Sequence, residues 1–161
     1  MPNPADPLRA EAVRLNQRAW ALLATPENND GWRRDLVEAA IGSFALWNIV
    51  GADVHRQRGS WLVARAAAEA GWADLARVYA ARCTSLTTIA EGLSDFDRVY
   101  AREAEARAAA VSGDLDAADR LRADALSAAA GIADTTDRNQ VLEDIAAGNW
   151  GPRAPDPASD Q

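Results

Sequence analysis

The spacing of small residues in the middle of the chain constrains the fold more than any other feature of the sequence. Four small residues lie at internal spacings of 7, 5 and 7 positions, and the same arrangement recurs 42 positions later. The two sets are Ala64, Gly71, Ala76 and Cys83, and Ala106, Gly113, Ala118 and Ala125. Small side chains at these places allow two antiparallel helices to approach closely, and each glycine permits a tight turn between them. The spacing therefore predicts two successive helical hairpins of the same design.

Helical periodicity and clear end signals extend this prediction to the rest of the chain. The predicted helices run from about Asp6 to Thr25, Trp32 to Val50, Asp53 to Ala70, Ala73 to Ile89, Ser94 to Val111, Asp114 to Gly131 and Thr136 to Ala147. One hairpin cannot bury its apolar face alone, so successive hairpins stack side by side. We predict an all-α fold of about seven antiparallel helices forming one domain over residues 1–148. Residues 149–161 hold three of the seven prolines without an apolar pattern, which predicts a disordered tail.

Charge and composition exclude several functional classes. The net charge of −7 and the isoelectric point near 4.7 argue against a nucleic-acid partner, since such proteins usually present a basic face. No apolar stretch approaches the roughly 20 residues that span a bilayer, so no membrane association is expected. The first seven residues lack the charged and apolar regions of a signal peptide, and a single cysteine suits a reducing compartment. A cytoplasmic location is therefore predicted.

Few residues have the chemistry of a catalyst or a metal ligand. The only histidine, His55, has no cysteine or glutamate at a zinc-binding interval, and Cys83 is interpreted as a small core residue. Asp95 and Asp97 stand in a predicted first helical turn, where acids complement the helix dipole, and a ligand role is the alternative. No phosphate-binding loop or nucleophile motif is present. We expect no enzyme activity, no cofactor and no metal site.

The repeated quartets of small residues, with Trp61 near an expected aromatic position, resemble the tetratricopeptide repeat. The match covers Arg58 to Leu126, with the best repeats at residues 58–83 and 100–126, although the period of 42 exceeds the usual ~34. The whole chain also resembles a group of uncharacterised bacterial tetratricopeptide-like proteins, through Trp47–Gly51, Arg58–Trp61 and Asp95–Asp97. The resemblance implies a solenoid of helical hairpins that works by binding.

The resemblance also implies which residues line the inner face of the solenoid. They are Arg58, Trp61 and Arg65 in one hairpin, and Tyr100, Glu103 and Arg107 in the next. Steps of three and four residues place each trio on one side of its helix. Arginines supply bidentate contacts to carboxylates, and aromatic rings supply apolar area. We therefore expect these residues to bind a protein or peptide segment with an acidic or carboxylate-ended character.

Other interpretations stay open at this point. Glu103 and Arg107 have the spacing of an intrahelical ion pair, and Trp61 would then belong to the core. The six tryptophans also allow a domain that encloses a small molecule in an apolar pocket. Peptide binding requires an open surface with exposed aromatic residues and arginines, whereas a small-molecule site requires a closed cavity. An enzyme of unrecognised type and a homo-oligomer are also left open.

Overall fold

Helices make up almost all of the described chain. The computed structural model describes residues 5–151, and no strand occurs in that range. The helices are α1 (Ala5–Ala24), α2 (Asp30–Val50), α3 (Asp53–Glu69), α4 (Ala73–Ile89), α5 (Asp95–Val111), α6 (Leu115–Ala130) and α7 (Thr135–Ala146). The prediction of an all-α fold with seven helices is confirmed for these residues. The predicted ends differ by one or two residues; α2, for example, starts at Asp30 because the Asn29 side chain accepts a hydrogen bond from the Trp32 amide.

Each helix packs against its neighbour in sequence, and the odd-numbered and even-numbered helices form two layers. Within the described residues, α1, α3, α5 and α7 also contact one another in that order, whereas α2, α4 and α6 make no mutual contacts. The odd-numbered helices are therefore the more closely spaced layer, which places the inner face of the stack on their side. The candidate site lies on this face.

The repeated small residues occupy equivalent places in two hairpins, α3–α4 and α5–α6. Gly71 and Gly113 both adopt the left-handed conformation, with φ of +76° and +85°. In each turn the next amide donates back to a carbonyl in the preceding helix, from Trp72 to Ala67 and from Asp114 to Ala109. The other six members of the quartets are at most 4% exposed. The close helix contacts and glycine turns predicted from the spacing are therefore present.

The chain beyond α7 differs from the expected disordered tail. Asn149, Trp150 and Gly151 are held by hydrogen bonds to α3, to α7 and to one another. They lie against α3 and α5, and Trp150 packs against a second small core that includes Val99, Ile132 and Ile145. The remainder of the predicted tail, residues 152–161, lies outside the described residues.

Candidate functional site

The six residues predicted for the inner face lie on neighbouring helices but divide into two groups. Arg58, Trp61 and Tyr100 line an open pocket between α1, α3 and α5, termed here the aromatic pocket. Arg65, Glu103 and Arg107 lie about two turns further along α3 and α5 and join Glu69 in a cluster termed here the buried charge cluster. The full lining of the aromatic pocket is Asn16, Trp20, Gln57, Arg58, Trp61, Leu62, Phe96, Asp97 and Tyr100.

Four aromatic rings form the wall of the aromatic pocket, which has a volume of about 220 Å³. The Trp61 ring lies 5.5 Å from Trp20 and 4.6 Å from Tyr100, measured between centroids. Tyr100 in turn contacts the edge of Phe96 at 6.2 Å. Rings at these separations attract one another, so the wall is held in place by its own contacts. Trp61 is buried at the back of the pocket, while Trp20 remains 40% exposed at its mouth.

An ion pair between Arg58 and Asp97 forms the polar side of the pocket. Arg58 donates two hydrogen bonds to the carboxylate, at 2.8 and 3.0 Å, and its guanidinium lies 5.0 Å above the Phe96 ring. The same carboxylate accepts the Ser94 amide at the start of α5, which is the structural role predicted for this acid. The hydrogen bond to Asp97 raises the pKa of Arg58 above its ordinary value. The Arg58 charge is thus already matched by a carboxylate.

The floor of the pocket carries one fixed polar side chain, Gln57, which is 1% exposed. Its amide nitrogen donates to the Thr87 hydroxyl and to the Asp97 carbonyl oxygen, each at 3.0 Å. These bonds tie α3 to α4 and α5 directly beneath the rings. The floor is therefore fixed by hydrogen bonds to two neighbouring helices.

The buried charge cluster contains two arginines and two glutamates. Glu103 accepts hydrogen bonds from Arg107, from Arg65 at 3.0 Å and from the Trp61 indole at 2.7 Å. Glu69 accepts from Arg65 at 3.0 Å and lies 3.6 Å from an Arg107 nitrogen. Arg107 and Glu103 are completely buried, and burial lowers the pKa of Arg107 despite the two carboxylates. The cluster has no net charge, which suits a site without water.

Residues 147–151, termed here the C-terminal segment, cover the buried charge cluster. Arg107 donates to the carbonyl oxygens of Ala147 at 2.9 Å and Asn149 at 3.3 Å, and also to that of Asp144 at the end of α7. The Asn149 amide donates to both carboxylate oxygens of Glu69, at 3.0 and 2.9 Å. The part of the inner face that carries these charges is therefore occupied by the chain itself.

The predicted exposure of two arginines is wrong as a result. Arg65 is 8% exposed and Arg107 is fully buried, so neither is available to a carboxylate from outside. The intrahelical ion pair between Glu103 and Arg107, the alternative kept open above, is present. Trp61 combines the two interpretations, since it is 6% exposed and its ring still lines the aromatic pocket.

The sequence did not single out Trp20 or Phe96 as site residues, although both line the pocket. Trp20 lies on α1, outside the two best repeats, so the resemblance gave no position for it. Phe96 lies between Asp95 and Asp97, and the place of these acids in a first helical turn indicated a role at the helix start instead of a pocket. A step of four residues from Phe96 to Tyr100 on one helical face would have indicated this neighbour.

Two other residues considered for chemistry have structural surroundings. Cys83 is fully buried, and burial raises the pKa of its thiol to about 12, so the reactive thiolate is strongly disfavoured. His55 lies at the start of α3, where its Nδ1 accepts the Ala52 amide at 3.1 Å. Its ring stacks on Trp47 at 4.4 Å, and burial lowers its pKa. Cys83 is therefore the small core residue that the sequence predicted, and His55 contributes to the start of a helix.

Comparisons with protein-family models, curated proteins and solved structures found no significant match to this chain. Across residues 5–151, no helix combines the length and apolar character needed to cross a membrane.

Proposed function

We propose that this protein is a non-catalytic binding protein whose aromatic pocket holds one large apolar or aromatic side chain of a protein or peptide segment. One observation carries the proposal. Four aromatic rings and a matched ion pair surround an open cavity on the inner face, and fixed hydrogen bonds lie beneath it. Rigid aromatic anchors of this kind contribute most of the affinity in many interfaces.

The size of the pocket favours a single side chain. Its volume of about 220 Å³ is below the roughly 300–1,000 Å³ of sites for whole drug-sized molecules. A cavity of about 150 Å³ with apolar walls accepts a benzene ring, so this pocket has room for one large ring or branched chain. Its mouth is also open, with Trp20 40% exposed and the Arg58 side chain 49% exposed. These features favour a segment that lies across the surface, and they disfavour a small molecule enclosed in a cavity.

The electrostatics change the expected character of the partner. Each of the three inner-face arginines, Arg58, Arg65 and Arg107, is paired with a carboxylate of the chain itself. A partner's carboxylate would have to replace such a contact, so it gains little. The acidic or carboxylate-ended partner expected from the sequence therefore gives way to an apolar anchor, with the Arg58–Asp97 pair as a polar edge.

The absence of catalysis and the cytoplasmic location belong to the same proposal. The thiol of Cys83 is held in its protonated form by burial, and the only histidine is engaged at a helix start. A single buried cysteine remains suited to a reducing compartment.

Selection from a displayed peptide library tests the function, with two tryptophan variants as a matched pair. Trp20 and Trp72 are 40% and 42% exposed, but only Trp20 lines the aromatic pocket. We expect selected peptides to share a large apolar or aromatic residue and to bind Trp20→Ala roughly thirtyfold more weakly, as for an interface hot spot. Binding to Trp72→Ala should match the parent chain. Equal losses in both variants, or peptides without a shared apolar residue, would contradict the proposal.

A further inference from the structure

The C-terminal segment is held as a bound peptide would be, by side chains that contact its backbone. Arg107 donates to the carbonyl oxygens of residues 144, 147 and 149, and Arg65 donates to that of residue 144. Glu69 accepts the amide of Asn149, and the Asn149 side chain donates to the Ala68 carbonyl oxygen at 3.3 Å. Side chains of the inner face thus form hydrogen bonds with both the amide donors and the carbonyl acceptors of this stretch of chain.

Two positions of the segment strongly favour glycine. Gly148 has φ of +83°, and a Cβ there would lie 2.0 Å from a Glu69 oxygen and 2.5 Å from an Arg65 nitrogen. Gly151 has φ of +78°, and a Cβ there would lie 2.4 Å from the Ala110 carbonyl oxygen. The left-handed backbone and the lack of space make a side chain costly at both places, since atoms of the buried charge cluster would have to shift at Gly148 and backbone would have to shift at Gly151.

The second of the two positions between the glycines, position 150, favours an aromatic ring. Two guanidinium groups lie over the Trp150 ring, that of Arg107 at 4.2 Å and that of Arg122 at 4.4 Å from its centroid. Its indole nitrogen donates to the Ile145 carbonyl oxygen at 3.0 Å. Cations over a tryptophan ring are favourable, most of all away from water. Together these contacts specify the sequence Gly-Asn-Trp-Gly.

The connection of this segment to the fold allows exchange. Among the described residues, α7 packs against α5 and α6 and accepts one hydrogen bond from Arg65 of α3, and the short link of residues 131–134 joins it to the hairpins. A helix and segment on a single link form a unit of the kind that identical protomers exchange in domain swapping. The occupant that satisfies every contact of the site is the same unit from another copy.

We propose that this part of the inner face is a recognition site for the Gly-Asn-Trp-Gly segment, and that it accepts α7 and the C-terminal segment of a second copy of the chain in place of its own. The site is separate from the aromatic pocket, so this proposal goes beyond the function proposed above.

A labelled peptide of residues 135–151 tests recognition between molecules, with fluorescence anisotropy as the readout. In the parent chain the resident unit competes at an effective concentration of roughly millimolar, so the peptide should bind weakly. In the full chain with Gly148→Ala, the resident unit is weakened and the peptide should bind at least about tenfold more tightly. A peptide with alanine in place of Gly148 should lose that binding.

The Trp150→Ala chain repeats the measurement without altering either glycine, in case Gly148→Ala disturbs the fold. Circular dichroism identifies the folded variants. The proposal would be overturned if the peptide bound neither folded variant. It would also be overturned if the parent peptide and the peptide with alanine at position 148 bound equally well.

Refolding of the parent chain at high protein concentration tests the second copy itself. Sedimentation velocity should show a dimer whose fraction rises with the concentration during refolding and falls when excess peptide is present. A chain that stays monomeric at all concentrations, or a dimer that the peptide does not reduce, would overturn the exchange. Neither arm involves Trp20, so failure here leaves the aromatic pocket untouched.

Discussion

Helices α3 and α5 build two adjoining regions with opposite properties. Near their N-terminal ends they direct Arg58 and Tyr100 towards the aromatic pocket, which is open. Seven residues further along each helix stand Arg65 and Arg107, which are covered by the end of α7 and by the C-terminal segment. The comparison shows that burial of charge, more than position on a repeat, decides which part of an inner face is free to bind. Buried ions need partners at all times, whereas the rings of the aromatic wall contact one another and leave the mouth of the pocket open.

The largest expected effect comes from removing a charge from the covered region. Arg107→Ala should cost about 3–5 kcal/mol of unfolding free energy, because it leaves Glu103 and Glu69 as buried carboxylates with too few partners. Arg102→Ala is the matched control, since it lies on the same helix but is exposed, and it should change stability by less than about 0.5 kcal/mol. Urea denaturation measures both, and similar values would mean that the cluster is not closed.

A smaller loss should follow from crowding the cover itself. Gly148→Ala should cost roughly 2–4 kcal/mol, from its left-handed backbone and from the contact with Glu69 and Arg65. Gly92→Ala shares the positive φ, at +73°, but has open space around it, so only the backbone cost of about 1–2 kcal/mol applies. Thermal unfolding of the two variants separates crowding from backbone strain. If Gly92→Ala loses as much stability, the segment is not tightly docked.

Variants at the open region should matter less for folding. Trp20→Ala and Trp72→Ala should each cost about 1–2 kcal/mol, because two rings of nearly equal exposure lose similar packing. A much greater cost for Trp20→Ala would show that the pocket wall is part of the core. The aromatic pocket would then not be an open region distinct from the covered charge cluster.

Tyr100 joins the two regions and gives the smallest effect, with a pH signature. Its hydroxyl donates to Asp144 while its ring lines the pocket, so Tyr100→Phe should cost about 1 kcal/mol at neutral pH. Burial and the neighbouring Asp144 raise the Tyr100 pKa above its ordinary value of 10.0. The neutral phenol is therefore favoured in the folded chain, and its contribution is complete below pH 10 and is lost as the pH rises further. Tyr100→Phe should lose stability less steeply in that range, and parallel curves would contradict this.

Much of the fold was accessible from the sequence because its determinants are local. Helical periodicity, caps and the glycines at positions 71 and 113 act within a few residues, and they predicted the helices and turns closely. The likeness of the two hairpins also placed Arg58, Trp61 and Tyr100 on a common surface.

The cover over Arg107 was not accessible in the same way. Its contacts join α5 to residues about 40 positions away, in a stretch without helical or strand periodicity. The pair of glycines at 148 and 151 marks this stretch only when the φ angles and neighbouring atoms are known. Trp20 was missed for a related reason, since pocket residues on different helices share no sequence pattern.

Titration of the parent chain with N-acetyl-tryptophanamide, followed through the indole N–H signals by NMR, tests most directly whether one region is open and the other is closed. The account predicts that the signals of Trp20 and Trp61 shift with the amide concentration, because both rings wall the open pocket. The signals of Trp150, whose ring is covered by the guanidinium groups of two arginines, and of Trp72, which lies outside the pocket, should stay in place. Shifts at Trp150 equal to those at Trp20, or no shift at any indole, would contradict the account.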